Sequence, residues 1–200
     1  MSLIASVERV ALQLILASAS PRRIELLARI GVVPDLVLPA DLDETPLPKE
    51  APRQHVLRLA QAKAAAISAT HPAALVLAAD TVVAKGRRLL PKAQTREEAQ
   101  ACLNMLSGCN HRVTTAIAVQ LGDRTAVRAV ETKLAFKRLS QGEINRYLDS
   151  GEWQGKAGGY GIQGLAGAFC THLNGSWEGV MGLPLYESLC LLEGFGWNRP

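Results

Sequence analysis

The stretch Leu14-Ile15-Leu16-Ala17-Ser18-Ala19-Ser20-Pro21-Arg22-Arg23-Ile24-Glu25-Leu26-Leu27 admits two readings that lead to different proteins. An apolar run followed by Ala17-Ser18-Ala19 looks like the core and small-residue cleavage site of a secretory signal, in which case everything before Ser20 is discarded. In the other reading Leu14 to Ala17 is a buried strand and Ser20 caps a helix, with Pro21 at its first position and Gly31 closing its C-terminus. Ile24, Leu27 and Ala28 recur at helical spacing. The exposed amides of the first turn and the guanidiniums of Arg22 and Arg23 then face an anion, as a polyphosphate requires. Glu8 beside Arg9 offsets positive charge ahead of the apolar run, which weakens the signal reading.

Composition narrows the function classes. With 48% hydrophobic residues in 200, the chain can bury a substantial core, and one domain over residues 1–200 is the default, with room for two lobes. The excess of basic over acidic residues, 22 − 18 = +4, suits an anionic ligand but is mild for a stable nucleic-acid complex, and aromatics at 4% offer few stacking platforms. Cys102, Cys109, Cys170 and Cys190 form no CxxC pair and read as reduced packing residues, while the four histidines are too dispersed for a zinc motif. No apolar run reaches the length of a membrane span. A cytoplasmic location is expected from the missing signal and disulfide patterns.

Downstream, "VVPDLVL" is a short extended piece leading into the acidic loop "ADLDETPLPKEAP", a candidate functional loop. A helix follows over roughly Arg53 to Ala69. Its apolar stripe of Val56, Ala60 and Ile67 includes Lys63, which either snorkels to water or enters a cleft. "AALVLAAD" reads as a buried strand ending at Asp80 and Thr81, where ligands of open α/β sheets collect, and "VVAKGRRLL" as an extended pair turning near Gly86. A charge placed directly after seven apolar residues is costly unless it emerges into a polar cleft.

Capping boxes at Thr95/Glu98 and Ser140/Glu143 open two further helices, and Gly122-Asp123 joins two long strands as a hairpin. "GEWQGKAGGYGIQGLAG" is too glycine-rich for a helix; it is either a flexible loop or backbone brought close to a ligand. Asn174-Gly175 marks another hairpin turn, and "GLPLYESLCLL" a final helix with Pro184 near its start. The order of elements predicts a mixed α/β fold, a twisted sheet with flanking helices. Asp41, Asp43, Glu44 and Asp80 are the acids available to a nucleotide-bound metal, while no Walker loop or GxSxG elbow is present.

"LASASPRRIELL", "AADTVVA", "EEAQACLNMLSGCNHRV", "GKAGGYGIQG" and "GLPL" stand in the order and spacing of the Maf family of nucleoside triphosphate pyrophosphatases, which the chain resembles from Leu14 to Leu185. The resemblance implies an elongated, two-lobed α/β fold of the inosine triphosphatase type with a central cleft, frequent homodimers, and hydrolysis of a nucleoside triphosphate to monophosphate and pyrophosphate with magnesium or manganese. It places Ser18, Arg22 and Arg23 in the nucleotide-binding turn, Glu44 at the metal, Lys63 in the cleft and Lys92 on the phosphates. Asp80 matches the family's proton acceptor, with metal binding as its alternative role. The family usually follows that second lysine with proline, whereas this chain reads Pro91-Lys92-Ala93, which moves the backbone restraint to the other side.

Arg22, Thr81 and Gln163 match positions at which Maf subfamilies differ, and resemble the branch acting on thymidine and uridine triphosphates. Two other functions remain open from the sequence: a regulatory nucleotide-binding protein linked to septum formation, and a purine-directed pyrophosphatase of the inosine triphosphatase type.

Overall fold

The computed structural model describes residues 12–198. Leu14–Ala17 forms β1, and α1 (Pro21–Arg29) starts at Pro21 with Ser20 in the cap position, as the active-turn reading expects. Ser20 makes no side-chain cap bond. The helix ends on Gly31, whose φ of 72° lets the amides of Gly31 and Val32 turn back onto the carbonyls of Ala28 and Leu27. The expected apolar face is displaced, because Ile24 and Ala28 are exposed while Arg23, Leu26 and Leu27 are buried.

β2 (Leu36–Val37) is followed by the acidic loop, α2 (Pro52–Ser68), β3 (Leu75–Lys85), β4 (Arg88–Leu90) and α3 (Arg96–Leu106). The hairpin of β5 (Asn110–Leu121) and β6 (Arg124–Phe136) comes next, then α4 (Gln141–Asp149), the glycine-rich segment with a short 3-10 helix at Leu165–Phe169, and β7 (Cys170–Asn174). Both expected capping boxes are present, at Thr95/Glu98 and Ser140/Glu143. Asn174-Gly175 does not turn a hairpin. It leads into α5 (Trp177–Met181), which Ser176 caps by accepting from the Gly179 amide, and α6 (Leu185–Gly194) closes the described chain.

The seven strands make one mixed sheet in the order β2-β1-β3-β5-β6-β7, with β4 also on β3. β1 runs parallel to β2 and β3; the remaining pairs are antiparallel. Alternation along the strands splits the core between the two faces. Leu14, Leu16, Leu75, Leu77, Ile117 and Val119 pack beneath α1, α3, α4 and α6, whereas Ile15, Ala17, Val76, Ala78, Ala116 and Ala118 meet Val56, Ala60 and Ala64 of α2. The second interface is built largely of alanine, so α2 lies close to the sheet.

One difference from the sequence reading creates the cleft. β3 does not stop at Asp80 and Thr81 but runs through them to Lys85, because β5 pairs with it continuously from Val76 to Ala84. On its other edge β1 leaves at Ala78 and β4 arrives only at Val83. Asp80 and Thr81 therefore lie in a gap between two strands, where side chains can reach ligand although their own strand continues.

Among the four cysteines, none is disulfide-bonded; Cys102 is buried as expected of a packing residue, but Cys190 is exposed on α6. No helix among the described residues is long and apolar enough to cross a membrane.

Candidate active site

A cleft of roughly 360 Å³ opens at the gap and gathers Ser18, Arg22, Arg23, Glu44, Lys63, Asp80, Thr81, Lys92 and Gln163, the residues the family resemblance assigns to the site; of the four candidate acids, Asp41 and Asp43 do not line it. They come from the turn after β1, α1, the acidic loop, α2, β3, the segment after β4 and the glycine-rich turn.

Lys63 does not snorkel to water. Projecting from α2 through the alanine interface, its ammonium lies 2.7 Å from Asp80 Oδ1 and 2.5 Å from Glu44 Oε1. The side chains of Lys63 and Asp80 are 9% and 4% exposed, so the pair is mutually neutralised away from bulk water. Lys92 reaches the other Glu44 oxygen, giving a chain Asp80–Lys63–Glu44–Lys92 along the cleft. Burial raises the Glu44 carboxyl, but the two ammoniums outweigh it and hold the group down at about 2. The displaced proline does not take Lys92 out of the cleft, because its backbone is fixed by a bridge to Ala157 of the glycine-rich turn.

The acidic loop is held by a cluster that the sequence did not single out. Glu50, its side chain 7% exposed, accepts from Arg58 Nε at 2.7 Å, lies 3.0 Å from His55 Nδ1 and accepts the Leu47 amide. Arg58 also donates to the Thr45 carbonyl at 3.2 Å, next to Glu44. This clamp aims Glu44 at the lysines.

The adjacent arginines divide their work. Arg23 is buried and donates through Nη1 to Ser18 Oγ at 2.7 Å and through Nε to the Gly182 carbonyl at 2.9 Å. Burial lowers its guanidinium to about 10, partly offset by Asp80. It is a strut between the α1 turn and the loop after α5, where Gly182, at φ 123°, adopts a conformation that favours glycine. Arg22 is half-buried and makes a longer bond, 3.4 Å, to the Met181 carbonyl, leaving donors toward the cleft.

Lys156 and Tyr160 of the glycine-rich turn also line the cleft. A Cβ on Gly161 would come within 2.9 Å of Lys156 Cε and 3.3 Å of Gln163 Nε2, so glycine there lets the lysine stem lie beside Gln163. Burial, and then Arg22 nearby, lower the Lys156 ammonium. The available signal was a lysine inside a run of glycines that no packing role explains. The cleft thus carries five cations, Arg22, Arg23, Lys63, Lys92 and Lys156, against Glu44 and Asp80.

The model of the Maf-like protein family matches residues 13–195. The chain belongs to the Maf family. Among Maf relatives, a protein of Caulobacter vibrioides named dTTP/UTP pyrophosphatase is 60% identical over 186 residues, covering 92% of this chain and 96% of the relative. One of the same name from Rhodospirillum rubrum is 57% identical, with 92% and 89% covered. The Maf chain also shares the fold of a HAM1 protein from Coxiella burnetii, with a TM-score of 0.51 at 18% identity over 91% of this chain and 99% of that one.

Proposed function

We propose that the chain hydrolyses thymidine and uridine triphosphates to the monophosphate and pyrophosphate. The observation that carries this reading is the buried Asp80–Lys63 pair, set in a cation-lined cleft whose other wall is the first turn of α1. The names of the 60% and 57% identical relatives support the substrate class.

The triphosphate enters with its anionic chain along Lys92, Lys63 and Arg22, and the first-turn amides of α1 add the positive end of the helix dipole. Arg23 keeps that turn in place by holding Ser18 and Gly182. Phosphate oxygens compete with Glu44 for the two lysines, so binding loosens the Glu44 bridge. Asp80, with one oxygen on Lys63, uses its carboxylate to accept the proton of a water that attacks the α-phosphorus. Pyrophosphate leaves with its charge matched by the lysines.

The described residues contain no cluster of three or more histidine, cysteine, aspartate or glutamate side chains. Asp80 and Glu44 nevertheless suit a cation that arrives with the triphosphate, since magnesium completes its shell with phosphate oxygens and water. A divalent ion held by these two carboxylates would neutralise charge developing on the phosphates. The free cysteines suit a reducing compartment, and we place the enzyme in the cytoplasm.

The test is pyrophosphate release from a panel of thymidine, uridine, cytidine, inosine and 7-methylguanosine triphosphates. Cleavage led by the first two is expected. Cleavage of inosine or 7-methylguanosine triphosphate alone, or of none, would overturn the reading.

A further inference from the structure

Thr81 and Thr115 are directly opposite each other on β3 and β5, with Oγ1 atoms 2.9 Å apart. Either hydroxyl could be the donor in that pair alone. The ambiguity is removed one step further on, where Thr115 Oγ1 lies 2.6 Å from the carbonyl oxygen of Gly179 in α5. A carbonyl only accepts, and a threonine has one hydroxyl proton. Thr115 is 1% exposed, so no water competes for that proton, and withdrawing it would leave two buried oxygens in contact without hydrogen. Thr115 therefore donates to Gly179, can only accept from Thr81, and takes the Thr81 proton. Thr81 is partly exposed on the cleft wall and presents lone pairs to whatever binds there.

We propose that Thr115 is a specificity-determining positioning residue, which fixes the Thr81 hydroxyl as an acceptor toward the cleft and so selects bases carrying an imide N–H. The inference rests on the pyrimidine triphosphate reading above. Uracil and thymine donate N3–H to the Thr81 hydroxyl oxygen. Cytosine presents an N3 lone pair to the same atom and meets repulsion. Gln163 does not enforce this choice by itself, because its amide carries both a donor and an acceptor and can be turned to suit either base. The buried threonine cannot be turned without breaking its bond to α5.

The experiment compares kcat/KM for uridine and cytidine triphosphates in the wild type and in Thr115→Val, Thr115→Ser and Thr81→Val. Thr115→Val frees the Thr81 hydroxyl to donate or accept, and the uridine-to-cytidine ratio should fall about tenfold, the worth of one hydrogen bond of about 1.4 kcal/mol. Thr115→Ser keeps the hydroxyl and should keep the ratio. If Thr115 served only to tie α5 to the sheet, Thr115→Val would lower both substrates together, and an unchanged ratio in the folded variant overturns the proposal. Should Thr115→Val not fold, Thr81→Val decides: loss confined to uridine triphosphate supports the proposal, and equal loss on both refutes it. A wild type that cleaves neither substrate refutes the pyrimidine reading and the proposal with it, whereas a selective wild type with an unchanged ratio in Thr115→Val overturns the proposal alone.

Discussion

Replacing Lys63 by methionine removes one charge and almost no volume, so its cost reports the electrostatics of the cleft. Glu44 loses one of two ammoniums but keeps Lys92 and contact with solvent, and should change little. Asp80 loses its one ion-pair partner among the described residues, while its side chain stays 4% exposed. Removing one member of a buried pair costs about 3–5 kcal/mol, because the survivor must remain charged without a counterion or take up a proton. With a urea m-value of about 2 kcal/mol/M, the unfolding midpoint should fall by about 1.5–2.5 M. Asp80→Asn leaves Lys63 paired with Glu44 and should cost less, roughly 1–2 kcal/mol. The double variant Lys63→Met/Asp80→Asn has no stranded charge, so it should be more stable than Lys63→Met alone. Urea denaturation of the four proteins, followed by circular dichroism without nucleotide, measures the coupling directly. A Lys63→Met midpoint within 0.5 M of wild type, or a double variant less stable than Lys63→Met, would refute the buried-pair account.

Asp80→Asn should lower turnover by about two to four orders of magnitude while nucleotide still binds, and near-normal steady-state turnover would remove Asp80 from proton transfer. His111 is buried, with Nε2 2.8 Å from the Tyr160 hydroxyl, and burial lowers it from 6.5 to about 4. The unfolded chain therefore binds the extra proton first: stability is lost as pH falls from 6.5 toward 4, by about 2 kcal/mol at pH 5, and His111→Asn should flatten that slope in chemical denaturation. Gly158 and Gly155 both have positive φ, but only at Gly158 would a Cβ meet Val83, at 2.9 Å, whereas nothing lies within 4 Å at Gly155. Gly155→Ala should cost about 1–2 kcal/mol for backbone alone and Gly158→Ala about 1–3 kcal/mol more, read as the difference between their melting temperatures; equal melting would contradict the packing.

The elements most legible in the sequence were those whose signals are local. Pro21 at the first helical position and the boxes Thr95/Glu98 and Ser140/Glu143 mark helix starts by their own chemistry, and the hairpin at Gly122-Asp123 is set by its turn. Lys63 was legible because a lysine in an apolar stripe conflicts with its own pattern. The continuation of β3 through Asp80 was hidden, because it depends on β5 pairing from 34 residues away, at Thr115. Asn174-Gly175 satisfied a hairpin rule, yet Ser176 offered a competing helix cap and the tertiary fold took it. The misread face of α1 has a similar origin: Arg23 turns inward because Ser18 and Gly182, 159 residues further on, supply its partners. Thr115 is fixed by the Gly179 carbonyl, 64 residues further on, whereas Glu50 and Arg58 lie only eight residues apart but meet through a loop-to-helix turn that periodicity does not reveal.

In the proposed reaction, Asp80 directs water to the α-phosphorus of a triphosphate held by the lysines and Arg22. Single-turnover hydrolysis of uridine triphosphate in heavy-oxygen water, with both products analysed by mass, shows which phosphorus the water attacks. Pyrophosphate without label and uridine monophosphate carrying one heavy oxygen are expected. Label in the pyrophosphate, or release of diphosphate with orthophosphate, would contradict that reaction.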